Sequence, residues 1–213
     1  SQIGIASTTP SRFVDVASDP SSRNRHPMLS KDGNKVYVIS DVSGTYEVWE
    51  LDAKGGNNAK QLTKNGKGLK TGLWLSPDGN YLAYTEKSGH LYLLNLSTGR
   101  VTRANEDIDG DFYNIVFSHD SRYLAASFLE HKQVRPSVYI QEVPSGKSAV
   151  LTSQKYASYS PAFSADMQWL YFLSERSFAP TPTHPWGDRN MGTHFDKRAE
   201  LFAIALTENA KFP

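Results

Sequence analysis

Apolar and polar residues along this chain fall into short bursts, and the bursts recur at a near-constant interval. Four stretches align: "HPMLSKDGNKVYVIS" (26–40), "TGLWLSPDGNYLAYT" (71–85), "YNIVFSHDSRYLAAS" (113–127) and "YSPAFSADMQWLYFL" (159–173). Their anchor serines, Ser30, Ser76, Ser118 and Ser164, stand 46, 42 and 46 residues apart. That interval suits one four-stranded propeller blade, roughly 40–50 residues.

Each stretch reads as strand, turn, strand. A brief apolar run such as Leu73–Leu75 suits an innermost strand, after which Ser-x-Asp-Gly reverses the chain. In the second copy Pro77 presets φ, Asp78 caps backbone amides and Gly79 supplies positive φ. An alternating run, "NYLAYT", then forms a second strand. Aspartate recurs at Asp32, Asp78, Asp120 and Asp166, whereas glycine gives way to Ser121 and Met167. The last two turns are therefore expected to differ in detail.

Third strands follow in "YEVWELD" (46–52), "GHLYLLNL" (89–96), "SVYIQEV" (137–143) and "LFAIAL" (201–206). Polar turns lead from the first three to short outer strands, "QLT", "VTRA" and "SAVLT". The opening "QIGIAS" and "RFVDVAS" repeat this half-blade. No extended helical periodicity competes. The pattern predicts an all-β chain, a β-propeller of four-stranded blades with about four to five blades present. Residues 1–25 end one blade, 26–66, 67–107 and 108–154 are complete blades, and 155–213 is a blade with an inserted loop at 175–198. Ring closure within the chain would duplicate a third strand. The count thus fits a slice of a six- or seven-bladed ring, or an open or composite one, with four blades as the smaller alternative.

Composition narrows the function classes. Basic and acidic residues balance at 23 and 22, and no Lys/Arg cluster stands out, so neither nucleic acid nor a membrane surface is expected as a partner. There is no cysteine, which excludes disulfides, thiol catalysis and thiolate metal sites. No apolar run has the length of a membrane span. The opening "SQIGIASTTP" lacks the basic and apolar regions of a signal peptide and reads as a trimmed or excised start.

The elements "LSPDGNYLAYT" and "SDVSGTYEVWELD" resemble the propeller repeats of tricorn protease and its bacterial homologues, and of periplasmic Tol-type propellers. A narrower resemblance lies in the last fifth of the chain. There Tyr171–Arg176, Pro185-Trp186-Gly187, Arg189, Phe195-Asp196-Lys197 and Leu201–Leu206 look like a late blade of the second propeller of tricorn-like serine proteases. The resemblance implies the non-catalytic propeller part of a serine peptidase, a scaffold, substrate gate or interaction surface in peptide degradation. Its implied partners are peptides or the protease domains of the parent chain, with self-association through blade edges also expected. A soluble, bacterial-type protein of cytoplasm or periplasm is implied. The alternatives are a free-standing Tol-type binding propeller and the propeller of a prolyl-oligopeptidase-like enzyme.

Candidate chemistry is sparse. The serine-hydrolase elbow Gly-x-Ser-x-Gly does not occur, and "SGKSAV" fails as a phosphate loop because Gln141 stands where the first glycine belongs. "EDIDGD" (106–111) gathers carboxylates, but Gly110 is out of register for a calcium loop and no closing Glu follows, so an exposed inter-blade loop is expected. The six histidines, His26, His90, His119, His131, His184 and His194, lack close metal-ligand spacing, and no metal or cofactor is expected. Asn95-Leu96-Ser97 matches a glycosylation sequon, but short matches are common and this one sits in a strand. Trp49, Trp74 and Trp169 fall in strands and are expected to pack between blades. The long excursion "FAPTPTHPWGDRNMGTHFDKRAE" (178–200) supplies the candidate contact residues Trp186, Arg189, Phe195, Asp196 and Lys197, with Asp188 and Asp196 as competing partners for the two cations.

Overall fold

The computed structural model describes residues 2–8, 11–17, 21–56, 58–64, 68–104, 109–177, 179–180, 195–197, 199–208 and 210–211. The chain divides into two units, Ser1–Glu106 and Asp107–Pro213. Every regular element among the described residues is a strand.

In the first unit β1 (Ile3–Thr8) and β2 (Ser11–Ala17) form an antiparallel pair. A four-stranded sheet follows in chain order, β3 (Asn24–Leu29), β4 (Lys35–Ser40), β5 (Glu47–Asp52) and β6 (Lys60–Gln61). A second such sheet comprises β7 (Lys70–Leu75), β8 (Tyr81–Glu86), β9 (Leu91–Asn95) and β10 (Val101–Arg103). In the second unit β11 (Gly110–Phe117), β12 (Tyr123–Glu130), β13 (Ser137–Glu142) and β14 (Ser148–Val150) make a third sheet. The last sheet begins with β15 (Ser158–Phe163) and β16 (Trp169–Ser174). Two short strands, β17 (Ala179–Pro180) and β18 (Phe195–Lys197), then pair only with each other, and β19 (Glu200–Ala205) returns to lie beside β16.

Among the described residues all strand neighbours are antiparallel, and all but β16 and β19 are sequential, the up-and-down arrangement of a propeller blade. Second strands are buried nearly throughout, while outer β10 and β14 are largely exposed. That gradient explains why the second strands are apolar and the fourth short and polar.

Sheets are held face to face by apolar seams. Tyr37, Ile39 and Val48 of one sheet meet Leu73, Leu82, Tyr84 and Leu94 of the next. Ile3 and Val16 of the opening pair cluster with Val36 and Val38. In the second unit Ala125 and Val138 meet Leu170 and Phe172, with Phe202 and Ile204 alongside. Trp49 lies at one such seam with its indole N–H buried and without a hydrogen-bond acceptor, so packing governs its placement.

One seam also carries charge. Lys70 Nζ lies 3.0 Å from Glu47 Oε2 and 3.8 Å from Glu86 Oε1, with the Lys70 and Glu47 side chains essentially sealed from solvent. Thr63 Oγ1 donates to the same Glu47 oxygen at 2.5 Å and accepts from Val48 N at 2.9 Å. Lys70 Nζ also donates to Tyr46 O at 3.3 Å and sits 5.4 Å from the centre of the Tyr84 ring. Sheet register gives the corresponding positions in the second unit: Ser137 for Glu47, Thr152 for Thr63, Ser158 for Lys70 and Ser174 for Glu86. Here Val138 N donates to Thr152 Oγ1 at 2.9 Å, and Ser158 Oγ donates to Ser174 Oγ at 3.1 Å. One seam is ionic; the other is built of hydroxyls.

The four anchor turns share one design. Each serine hydroxyl donates to its aspartate at 2.5–2.6 Å, and accepts at 2.8–2.9 Å from the amide that opens the second strand. The same carboxylate accepts the amide two residues on at 3.0–3.1 Å. Gly33 and Gly79 have φ of 72° and 78°, while Ser121 and Met167 have 60° and 59°. The turns share left-handed backbone even where a side chain makes it costly, and differ in detail: Asn34 and Asn80 in the first two add a side-chain bond to the aspartate's second oxygen.

Candidate interaction site

Every innermost strand is interrupted by a register shift shortly before its anchor serine, at Arg25/Met28, Lys70/Gly72, Tyr113/Val116 and Tyr159/Ala162. The residue four places before the serine is His26, Gly72, Asn114 or Ser160. Three of these, His26, Asn114 and Ser160, adopt φ of 53°, 49° and 54°. Bulges re-aim side chains and break strand pairing, and strained backbone concentrates where ligands are held.

The second unit places two such bulges side by side. Ser127 Oγ, fully buried on β12, donates to Asn114 Oδ1 at 3.2 Å and accepts from Ser160 N at 2.9 Å, tying β11 to β15. Tyr113 and Tyr159 precede the two bulge residues. Burial, then the Asp111 charge, then Tyr159 hold the Tyr113 phenol above its ordinary pKa. Burial and the Glu175 carboxylate raise that of Tyr159, whose hydroxyl donates to Glu175 Oε1 at 3.4 Å. Both phenols therefore stay neutral donors at physiological pH. Phenols, amides and hydroxyls in this array suit non-covalent binding of a polar, extended chain.

His131 forms a second polar group in the same unit. Its Nδ1 lies 3.3 Å from Asp109 Oδ2 and its Nε2 3.5 Å from Asp111 Oδ1. It borders an open cleft of about 560 Å³ lined by Asp109, Glu130, Lys132, Thr152 and Gln154. The carboxylates of "EDIDGD" that fall among the described residues thus face a histidine. Among the described residues no group of three or more His, Asp or Glu is disposed to share a metal ion. The sequon asparagine Asn95 accepts from Ser97 N, Ser97 Oγ and Thr98 N, so its amide oxygen closes a turn.

Of the sequence-derived contact residues, Trp186 and Arg189 lie outside the described residues, as do His184, Asp188 and His194. Phe195, Asp196 and Lys197 form β18, whose backbone pairs with β17 through Ala179↔Lys197 and Pro180↔Phe195. The excursion joins the second and third strands of its sheet and leaves through this ribbon. Sequence reasoning passed over Asn114, Ser127 and Ser160. A signal for Asn114 and Ser160 exists in the aligned column of His, Gly, Asn and Ser, three of whose residue types tolerate left-handed backbone.

The model of the tricorn protease second β-propeller domain matches residues 6–213. The chain belongs to this family. Tricorn protease homolog 1 of Streptomyces coelicolor is 31% identical over 170 residues, 78% of this chain but 16% of that protein. The Protein TolB homolog of Chlorobium chlorochromatii is 34% identical over 151 residues, 68% of this chain and 32% of that protein. In structure, a crystal structure of the tricorn protease superposes on 94% of this chain with a TM-score of 0.75 at 23% identity, covering 19% of that protein. This likeness speaks to fold alone. The chain spans less than a third of these curated relatives in the first case and about a third in the second. Among the described residues no helix is long and apolar enough to cross a membrane.

Proposed function

We propose that this tricorn-family propeller chain is a non-catalytic part of a serine peptidase, acting as scaffold, substrate gate or interaction surface in peptide degradation. The family match over residues 6–213 carries this reading. The paired bulges at Asn114 and Ser160, with Tyr113 and Tyr159, supply its binding chemistry for peptides. Trp186, Arg189, Phe195, Asp196 and Lys197 on the excursion are the contact surface for peptide or for protease domains of the parent chain. The protein works in a soluble compartment, cytoplasm or periplasm, of a bacterial-type cell.

The test has two arms. Purified chain incubated with unstructured peptides should leave them uncleaved while binding them, and Asn114→Ala with Ser160→Ala should weaken that binding at least fivefold. Cleavage lost on changing a serine of this chain overturns the non-catalytic reading; unchanged binding in the double variant overturns the placement of the site. The relation to the Chlorobium chlorochromatii TolB homolog supports a second reading, a free-standing binding propeller. A parent reading frame without a hydrolase region would favour it.

A further inference from the structure

Two buried hydroxyls at the third sheet lack the partners found at the corresponding positions of the first unit. There Thr63 Oγ1 accepts from Val48 N and donates its proton to Glu47 Oε2. In the second unit Thr152 Oγ1 accepts from Val138 N at 2.9 Å, but Ser137 stands where Glu47 would. The Ser137 Oγ has no hydrogen-bond partner, and the Thr152 proton meets no acceptor among the described residues. Thr152 is 8% exposed and Ser137 1%. A buried donor without an acceptor is costly and uncommon in folded proteins.

Thr152 lines the open cleft of about 560 Å³, together with Asp109, Glu130, His131 and Lys132. The acids there already have donors: His131 Nδ1 lies 3.3 Å from Asp109 Oδ2, and Gln154 Nε2 donates to Glu130 Oε2 at 2.7 Å. Lys132 is exposed, and its ammonium makes no ion pair or hydrogen bond among the described residues. A buried hydroxyl proton and an ammonium therefore remain for a ligand. The same two kinds of donor, from Thr63 and Lys70, hold the Glu47 carboxylate in the first unit. The cleft sets two acids against a lysine and a histidine, so hydrogen-bond matching and not long-range attraction selects its ligand. Val150, 37% exposed, adds an apolar wall.

We propose that this cleft is a carboxylate subsite for bound peptide. A carboxylate from the peptide's C-terminus, or from an Asp or Glu side chain, takes the Thr152 proton and meets Lys132. The ligand thereby supplies what Glu47 supplies from within the chain in the first unit. The inference rests on the peptide-binding reading above and adds to it a site other than the paired bulges.

Four forms of one dye-labelled, unstructured peptide test it, with Glu or Gln inside and an acid or an amide at the C-terminus. Binding to the whole chain is read by fluorescence anisotropy. Expected is binding about fivefold tighter for a carboxylate-bearing form than for the Gln-amide form. Which form gains tells terminus from side chain. Lys132→Gln should remove that advantage and leave binding of the neutral form unchanged, while Lys31→Gln, an equal change of charge in the first anchor turn, should preserve it. Ser137→Glu, which offers Thr152 an internal carboxylate as in the first unit, should also remove it; Lys132→Gln, on the surface, carries the test if that variant fails to fold. Equal binding of all four forms, an advantage that survives Lys132→Gln, or one lost equally in Lys31→Gln overturns the proposal alone. Binding of no form overturns the peptide-binding reading together with it.

Discussion

Lys70 Nζ and Glu47 Oε2 meet at 3.0 Å across the seam between two blades, with 1% of the Lys70 side chain and none of Glu47's open to water. Burying two charges is costly, and the cost is offset here by Thr63, the Tyr46 carbonyl, Glu86 and the Tyr84 ring. Removing one partner strands the other. Lys70→Met should destabilise the chain by about 3–5 kcal/mol in urea unfolding. Glu47→Ser with Lys70→Ser, copied from the hydroxyl seam, should recover most of that loss.

Met167 holds φ of 59° in the anchor turn, where the first two copies have glycine. Left-handed backbone costs a side-chain-bearing residue roughly 1–2 kcal/mol, and glycine's extra unfolded-state entropy returns part of that. Met167→Gly should therefore stabilise by roughly 0.5–1 kcal/mol. Gly79→Ala should destabilise by a similar amount, both read from denaturation midpoints.

The turn carboxylates make acid stability titratable. The Ser30 hydroxyl, then Asn34, lower Asp32 from 3.8 to about 2. Burial opposes the ionised form of Asp120, but the Ser118 and Arg122 bonds prevail and its pKa is lowered; the Ser164 hydroxyl lowers that of Asp166. A lowered folded-state value means stability that is complete above the unfolded value and lost as pH falls through the folded one. Stability should thus decline between about pH 4 and pH 2. Asp32→Asn should flatten part of that decline, measured by urea unfolding across the interval.

Ser127 links two innermost strands through one hydroxyl. Ser127→Ala leaves the Ser160 amide without its acceptor and should cost about 1–3 kcal/mol. Hydrogen exchange should quicken at Ser160 more than in the neighbouring strand β16.

Local chemistry was the legible part of the sequence. Ser30, Asp32 and Gly33 lie within one turn, so their spacing alone announced the reversal, and four copies announced the blades. The left-handed backbone at Ser121 and Met167 is not legible from residue type, because the serine-aspartate bonds that accompany it lie in side chains two residues apart. The Glu47–Lys70 seam was invisible for another reason: its members sit on different blades, and their pairing exists only once sheets stack. The bulge site lay between these cases, with tolerant residue types in one column but no local sign that Ser127 would join two of them.

The ribbon of β17 and β18 sets residues 180 and 195 opposite each other before the chain rejoins its sheet. Closure of whatever lies between them is therefore settled by the ribbon, and each doubling in length beyond it costs only about 0.6 kcal/mol. The sheet thus meets the described ends of the excursion at a short antiparallel ribbon. Loop-closure cost therefore sets little limit on how long an insertion this ribbon carries.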